Sequence, residues 1–173
     1  MGVGGVKAER PASRLLIAGR YCDDVLALPL FDPPVSKNLL WPKSARWPRR
    51  RVLVVLRRFQ ATFPGILYDL ELGVDVANAQ AFVEGGRKRV RLYGGLVRHR
   101  NIGSAGLATV LAHETGHHLG GPPHLPTNRS LSSEERATEW ALSIGLPTVF
   151  GIRTAQRIAS SGCKQLQALG TCE

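Results

Sequence analysis

The sequence His113-Glu114-Thr-Gly-His117 constrains this chain more than any other feature. An α-helix places residues four apart on one face, so both imidazoles can reach a single metal ion. Two imidazoles and one further protein ligand leave a fourth tetrahedral position for water, which is the arrangement of catalytic zinc sites. Zinc lowers the pKa of such a water to about 7, and Glu114 is near enough in sequence to accept its proton as a general base.

The residues around this motif predict that it lies late on an amphipathic helix. Ser104 is a plausible N-cap, and the apolar residues Leu107, Val110 and Leu111 follow at three- and four-residue steps. The run Gly-Gly-Pro-Pro at 120–123 predicts the end of the helix. Four of the five histidines lie between positions 113 and 124. This clustering favours a metal site over histidines that merely face solvent or pack in the core.

The third metal ligand has more than one candidate. The pattern HExxHxxGxxH of metzincins requires a histidine where this chain has Pro123, and His124 is one residue late. The only methionine is Met1, so the methionine turn of metzincins is missing as well. A glutamate from a second helix is the other source. That helix is predicted to begin near Ser133 and to end at Gly145 and Pro147.

Within the second helix, Glu134 borders the apolar stripe that Ala137 and Trp140 continue. Glu135 is predicted to form a capping box with Ser132, and Glu139 is turned about 140° from Glu134 at 100° per residue. These positions favour Glu134 as the third ligand. His124 remains the main competitor, because it follows two prolines in a loop of undetermined course.

Several segments together resemble a known family: Asn78-Ala-Gln-Ala81, the pair Gly85-Gly86, the strand into Tyr93-Gly-Gly-Leu96, and Leu107 through His117. They are similar to gluzincin peptidases of the HtpX and CaaX prenyl endopeptidase type. The chain is more similar to bacterial, often secreted, M48-like proteins that carry HELGHHLGG followed by EGQADYWA. The resemblance covers about Leu67 to Trp140 and implies a zinc metalloendopeptidase that acts on peptides or proteins.

The resemblance also implies roles for single residues. Matching EERATEWA here to EGQADYWA gives Glu134 the role of zinc ligand and places Thr138 where the family has an aspartate beside a ligand histidine. Such outer partners typically change metal affinity or activity 10- to 100-fold, so this departure affects the strength of the site. The hairpin strand would bind an extended substrate, with Asn78 and Tyr93 as candidate substrate contacts. Asn78 could equally hold the turn.

The pattern along the chain predicts an α+β fold, with a small, mainly antiparallel sheet whose hairpin edge packs on the HExxH helix. A helix is predicted over 49–63, a strand over 66–72, a hairpin from 76–83 and 88–93, and a last helix over 147–160. Residues 1–14, rich in glycine and basic residues, are predicted to be a disordered tail, and 15–173 a single domain.

A net charge of +10 suggests a rival function, the binding of nucleic acid or of an anionic surface. The basic clusters are Arg46, Arg49, Arg50, Arg51, Arg57 and Arg58, and Arg87, Lys88, Arg89, Arg91, Arg98 and Arg100. No nucleic-acid-binding motif accompanies them, so we expect no specific nucleic acid partner.

The compartment is less constrained. No apolar run reaches the length of a membrane span, and no export signal is visible, although the proteins that the chain resembles are commonly secreted. Cys22, Cys163 and Cys172 allow one disulfide in any of three pairings. An odd count leaves one thiol free, and buried or surface cysteines without catalytic work are the favoured interpretation, because none lies beside the motif.

Overall fold

Helix α1 (Arg46–Thr62) opens the folded part of the computed structural model, which describes residues 35–170. Its residues Val52, Val55, Leu56 and Phe59 recur every three to four positions and are buried. The helix begins three residues before the predicted Arg49. Pro48 is tolerated there because the first helical turn needs no N–H donors. A short 3₁₀ turn (Lys37–Leu39) precedes α1, and the predicted tail 1–14 lies outside the described residues.

A three-stranded sheet follows, made of β1 (Ile66–Glu71), β2 (Ala79–Glu84) and β3 (Arg87–Tyr93). The order is β1-β3-β2, with β2 antiparallel and β1 parallel to the central β3. Gly85 (φ 56°) and Gly86 (φ 75°) form the two-residue turn of the predicted hairpin, where both positions require a left-handed backbone. The α+β class is confirmed, and β2 forms one edge of the sheet.

Strand β3 ends at Tyr93, as predicted, and a short helix α2 (Gly94–Arg98), which the sequence pattern did not predict, follows. A Cβ added to Gly94 would overlap the backbone of Leu72, and one on Gly95 would overlap that of Val76. The two glycines therefore let this turn of helix pack directly against the loop between β1 and β2.

The motif lies on helix α3 (Ser104–Leu119), whose end before Gly120 agrees with the prediction. Its N-cap is Gly103 rather than Ser104. The side chain of Gln165 takes over part of the capping, since its Oε1 accepts the N–H groups of Gly103 (2.7 Å) and Gly106 (2.9 Å).

After α3 come a small hairpin, β4 (His124–Leu125) and β5 (Asn128–Ser132), and helix α4 (Glu134–Trp140). The predicted end of this helix at Gly145 and Pro147 is wrong. The chain continues as a π-helical turn (Ala141–Gly145) into α5 (Leu146–Phe150). Pro147 is accommodated because it occupies the first turn of α5, where its missing N–H is not needed.

Gly151 (φ 76°) then ends α5, and helix α6 (Ile152–Gly170) completes the described chain. Helix α6 begins five residues after the predicted start at Pro147. Cys163 on α6 is buried and disulfide-bonded, in agreement with the one disulfide that the sequence allows. Cys22 and Cys172 lie outside the described residues. Within residues 35–170, no helix combines the length and the apolar character needed to cross a membrane.

Candidate metal centre

Helix α3 is the centre of the fold, because every residue from Gly106 to His118 is buried. Leu107, Val110 and Leu111 pack in the main hydrophobic core together with residues of α1, the sheet and α6. The polar residues His113, Glu114 and His117 are also buried, at 3%, 7% and 6% exposure. Buried titratable side chains need partners, so the contacts of these three groups define the site.

The two imidazoles of the motif converge on one carboxylate oxygen. Oε2 of Glu134 lies 3.0 Å from Nε2 of His113 and 3.4 Å from Nε2 of His117. The ring centroids are 4.8 Å apart, with the planes at 85°. Tetrahedral zinc with ligands at 2.0–2.2 Å separates its ligand atoms by about 3.3–3.6 Å. The observed distances lie close to this spacing, so the donor set of two imidazoles and a carboxylate fits zinc.

The other ring nitrogen, Nδ1, of each histidine also has a polar partner. Nδ1 of His117 lies 2.8 Å from the carbonyl oxygen of Ser132. A carbonyl can only accept, so Nδ1 of this imidazole carries a proton, and Nε2 is the nitrogen that is available to a metal ion when the ring is neutral. Nδ1 of His113 lies 3.1 Å from Oγ1 of Thr138, which is 3% exposed. Thr138 therefore occupies the position that a carboxylate would take beside His113.

Helix α4 reaches the site because it approaches α3 closely at Gly116. A Cβ added to Gly116 would overlap the backbone of Ala137, with Cα of Ala137 only 2.9 Å away. The helix starts at Ser133, whose Oγ accepts the N–H of Arg136 (3.4 Å). The predicted capping box of Ser132 with Glu135 is therefore wrong. Ser132 instead belongs to β5 and offers its carbonyl to His117.

The competing ligands predicted from the sequence lie elsewhere. His124 is exposed on β4, with Nδ1 3.3 Å from the carbonyl of Leu131. Glu139 is exposed and forms an ion pair with Arg136, and Glu135 is exposed as well. By proximity of ligand atoms alone, Glu114 joins His113 and His117 in a group within 4.8 Å. Glu134 is the carboxylate within hydrogen-bonding distance of both rings.

The carboxylates and imidazoles shift one another's pKa. Burial raises the pKa of Glu134, but its hydrogen bonds to His113 and His117 outweigh burial and lower the pKa to about 2. Burial lowers the pKa of His117, and its hydrogen bond to Glu134 and the charge of Glu114 together raise it overall. Burial raises the pKa of Glu114, against the attraction of the two histidines. The site thus favours an ionised Glu134 beside the rings.

The edge strand β2 borders the motif, because the backbone N–H of Ala81 donates to the Glu114 carboxylate. The candidate substrate residues lie at the other end of the hairpin. Asn78 is buried, its Oδ1 accepts the N–H of Ala79 (2.7 Å), and its carbonyl accepts the N–H of Tyr93 (3.0 Å). The hydroxyl of Tyr93 donates to Gln80 (3.1 Å). The observed contacts of Asn78 and Tyr93 therefore fix the start of β2.

Sequence reasoning missed three groups: the carbonyl of Ser132, the amide of Ala81 and the close approach at Gly116. The carbonyl of Ser132 and the amide of Ala81 are main-chain groups, which every residue type carries, so the amino-acid sequence gives no sign of their role. Gly116 could have been noticed in the sequence. Glycine inside a helix lowers helix stability by about 1 kcal/mol relative to alanine, so its presence there indicates a close contact with another element.

The model of peptidase family M48 matches residues 42–124, which include the first helix, the sheet and the whole motif. No match was found among curated proteins or among solved structures. The resemblance to this metallopeptidase family is confirmed over the matched range, and the motif residues form a group that could bind a metal.

Proposed function

Since residues 42–124 match peptidase family M48, we propose that this chain is a zinc-dependent endopeptidase that hydrolyses peptide bonds. The observation that carries the proposal is the convergence of Glu134 Oε2 on Nε2 of both His113 and His117, at 3.0 and 3.4 Å. These three atoms would hold the ion. Glu134 lies outside the matched range, so its contacts with the motif are evidence independent of the family match.

Glu134 is a better third ligand than Glu114, although both are carboxylates near the rings. Glu114 is adjacent to His113 in the helix, and the Ala81 N–H already holds its carboxylate. Glu134 comes from a different helix, and its Oε2 lies near Nε2 of both rings. A third ligand has to lie near both imidazole nitrogens, because all three bind the same ion. Its side chain is 43% exposed, so the site opens to solvent at this point.

Zinc, when bound, polarises the carbonyl of the scissile bond and makes a water molecule more acidic. Thr138 and the Ser132 carbonyl keep the two imidazoles in the orientation that presents Nε2. Thr138 is uncharged, which predicts a weaker hold on His113 than an aspartate would give.

Glu114 is the proposed general base. Its carboxylate takes one proton from water, and the water oxygen bonds to the carbonyl carbon of the substrate. The C–N bond then breaks as Glu114 returns the proton to the leaving amine. The products are a carboxylic acid and an amine, so atoms and charge balance, and Glu114 ends in its starting state.

The substrate is proposed to pair with the free edge of β2. Ala81 directs its N–H away from β3, toward Glu114, so an extended peptide added to this edge would pass the base. Asn78 precedes β2 and Tyr93 ends the neighbouring β3, and both are proposed substrate contacts because they lie at the same end of the hairpin. The proposed substrate is accordingly a peptide or an extended protein segment.

The test uses purified full-length protein prepared without chelator, assayed for zinc by mass spectrometry and for cleavage of a mixed peptide library. We expect about one zinc per chain and cleavage that chelation abolishes and added zinc restores. A zinc content near zero would contradict the metal assignment.

A zinc-binding protein of this fold without peptidase activity is the second candidate, and the neutral Thr138 beside His113 is the observation that favours it. Full zinc content without cleavage of any library peptide would support this alternative.

A further inference from the structure

We propose that the outer face of helix α1 docks on an anionic phospholipid surface, independently of the metal centre. The face is opposite the side of α1 that packs in the core and runs from Arg46 to Arg58, about 20 Å. It is defined by the exposed residues Arg46, Trp47, Arg50, Val54, Arg57 and Arg58. At 100° per residue these positions fall within an arc of about 120°.

The face is strongly cationic because α1 contains no acidic residue. Within residues 35–170, Arg46, Arg50 and Arg57 form no ion pair, and Arg58 contacts only the ring of Phe150 through its guanidinium, 5.4 Å from the centroid. Four positive charges along one helix face are therefore available to an external anion.

Four of the six residues in the second basic cluster have polar partners instead. Arg89 pairs with Asp69 and Glu84, and Arg98 pairs with Asp75. Arg91 also approaches Asp69 (3.9 Å), and Lys88 donates to the carbonyl of His118 (3.2 Å). Among residues 35–170, Arg87 and Arg100 of this cluster form no ion pair, so the tertiary structure pairs part of the second cluster and none of the four arginines on the face of α1.

Apolar side chains lie among the arginines of the face. Val54 is 57% exposed and Trp47 is 42% exposed. The ring of Trp47 contacts the ring of Trp41, at 5.1 Å between centroids, and the Arg51 guanidinium, 4.4 Å from its centroid. These two contacts fix the position of the Trp47 ring, so its exposed part is an aromatic surface in a defined place.

Clusters of four or more Lys or Arg on a helix are typical of surfaces that bind anionic lipid headgroups, and tryptophan is typical of the membrane–water interface. Phosphate headgroups pair with the guanidinium groups, while Trp47 and Val54 enter the boundary of the acyl chains. Trp47 and Val54 are exposed among the arginines, and a bilayer offers an apolar layer in which both can be buried, so a lipid surface fits the face better than nucleic acid.

The test measures partition of the full-length protein onto vesicles of phosphatidylcholine alone and of phosphatidylcholine with about one third phosphatidylglycerol. Arg50→Glu with Arg57→Glu is the test variant, and Arg153→Glu with Arg157→Glu on α6, also exposed, is the control with the same change of charge. Each arginine near such a surface contributes about fivefold, so the test variant should lose at least about 25-fold and the control less than about threefold. Melting temperature and zinc content verify that both variants fold.

A third variant, Val54→Ser, separates lipid from other polyanions. It should weaken vesicle partition by at least about threefold and leave binding to duplex DNA unchanged, because only a bilayer offers an apolar layer. The proposal would be overturned if the protein partitioned equally onto neutral and anionic vesicles, or if the two charge variants lost binding equally. It would also be overturned if the protein bound duplex DNA more tightly than vesicles and Val54→Ser had no effect on vesicle partition.

Discussion

The hydroxyl oxygen of Thr138 lies 3.1 Å from Nδ1 of His113, so a neutral side chain orients one of the proposed metal ligands. Thr138→Val keeps the shape and removes the oxygen. We expect zinc affinity to fall by about 10- to 100-fold, because the ring loses the partner that fixes its orientation. Competition with a zinc-binding dye measures the change, and Thr138→Ser, which keeps the hydroxyl, should bind zinc nearly as the parent does. Equal affinity of the valine and serine variants would contradict this role.

Glu114→Gln tests the general base. The amide cannot accept a proton, so peptidase activity should fall by at least about 10²- to 10⁴-fold. Zinc content should remain near one per chain, because Glu114 is not a proposed ligand. Hydrolysis of the peptide library at the parent rate would show that the mechanism is wrong.

Glu134→Gln tests the third ligand. Replacing the charged oxygen that contacts both rings should lower zinc affinity by at least about 10-fold, by analogy with the loss of outer partners. Glu135→Gln and His124→Ala are the controls, because both side chains are exposed and lie outside the converging set. Loss of zinc in His124→Ala with retention in Glu134→Gln would reverse the assignment.

Gly116→Ala tests the close approach of α3 and α4. The new methyl group would overlap the backbone of Ala137, so the free energy of unfolding should fall by about 1–3 kcal/mol. Urea denaturation of the zinc-free protein measures it. Gly65→Ala is the control, since a Cβ there meets no atom within 4 Å, and it should stay within about 0.5 kcal/mol of the parent.

His99 predicts a pH dependence of stability away from the metal centre. It is 2% exposed, and burial lowers its pKa below 6.5 in the folded state. Below pH 6.5 the unfolded chain therefore binds more protons than the folded chain, so this contribution to stability is complete above pH 6.5 and is lost as the pH falls. Urea midpoints of zinc-free protein should fall less with acidification in His99→Asn, whose amide oxygen can still accept the N–H of Asn101. Parallel pH profiles would refute the assignment.

The sequence alone determined the elements whose signals are local. The helix of the motif ends before Gly120 as predicted, since two glycines and two prolines cannot continue it. The hairpin turn at Gly85 and Gly86 follows from the need for positive φ at both positions. The choice of Glu134 over Glu139 also came from helical periodicity, and it agrees with the contacts observed, although the ligand role itself remains a prediction.

Tertiary structure decided the features that depend on distant partners. Gly145 and Pro147 predicted a helix end, but packing carries the chain through a π-helical turn into α5, because neighbouring elements outweigh local propensity. Ser132 was predicted to cap a helix, and instead its carbonyl holds His117 across the fold. The two basic clusters look alike in sequence, and only the sheet brings Asp69 to Arg89 and leaves α1 unpaired. Such pairings depend on which residues meet in space, and periodicity along the chain carries no information about that.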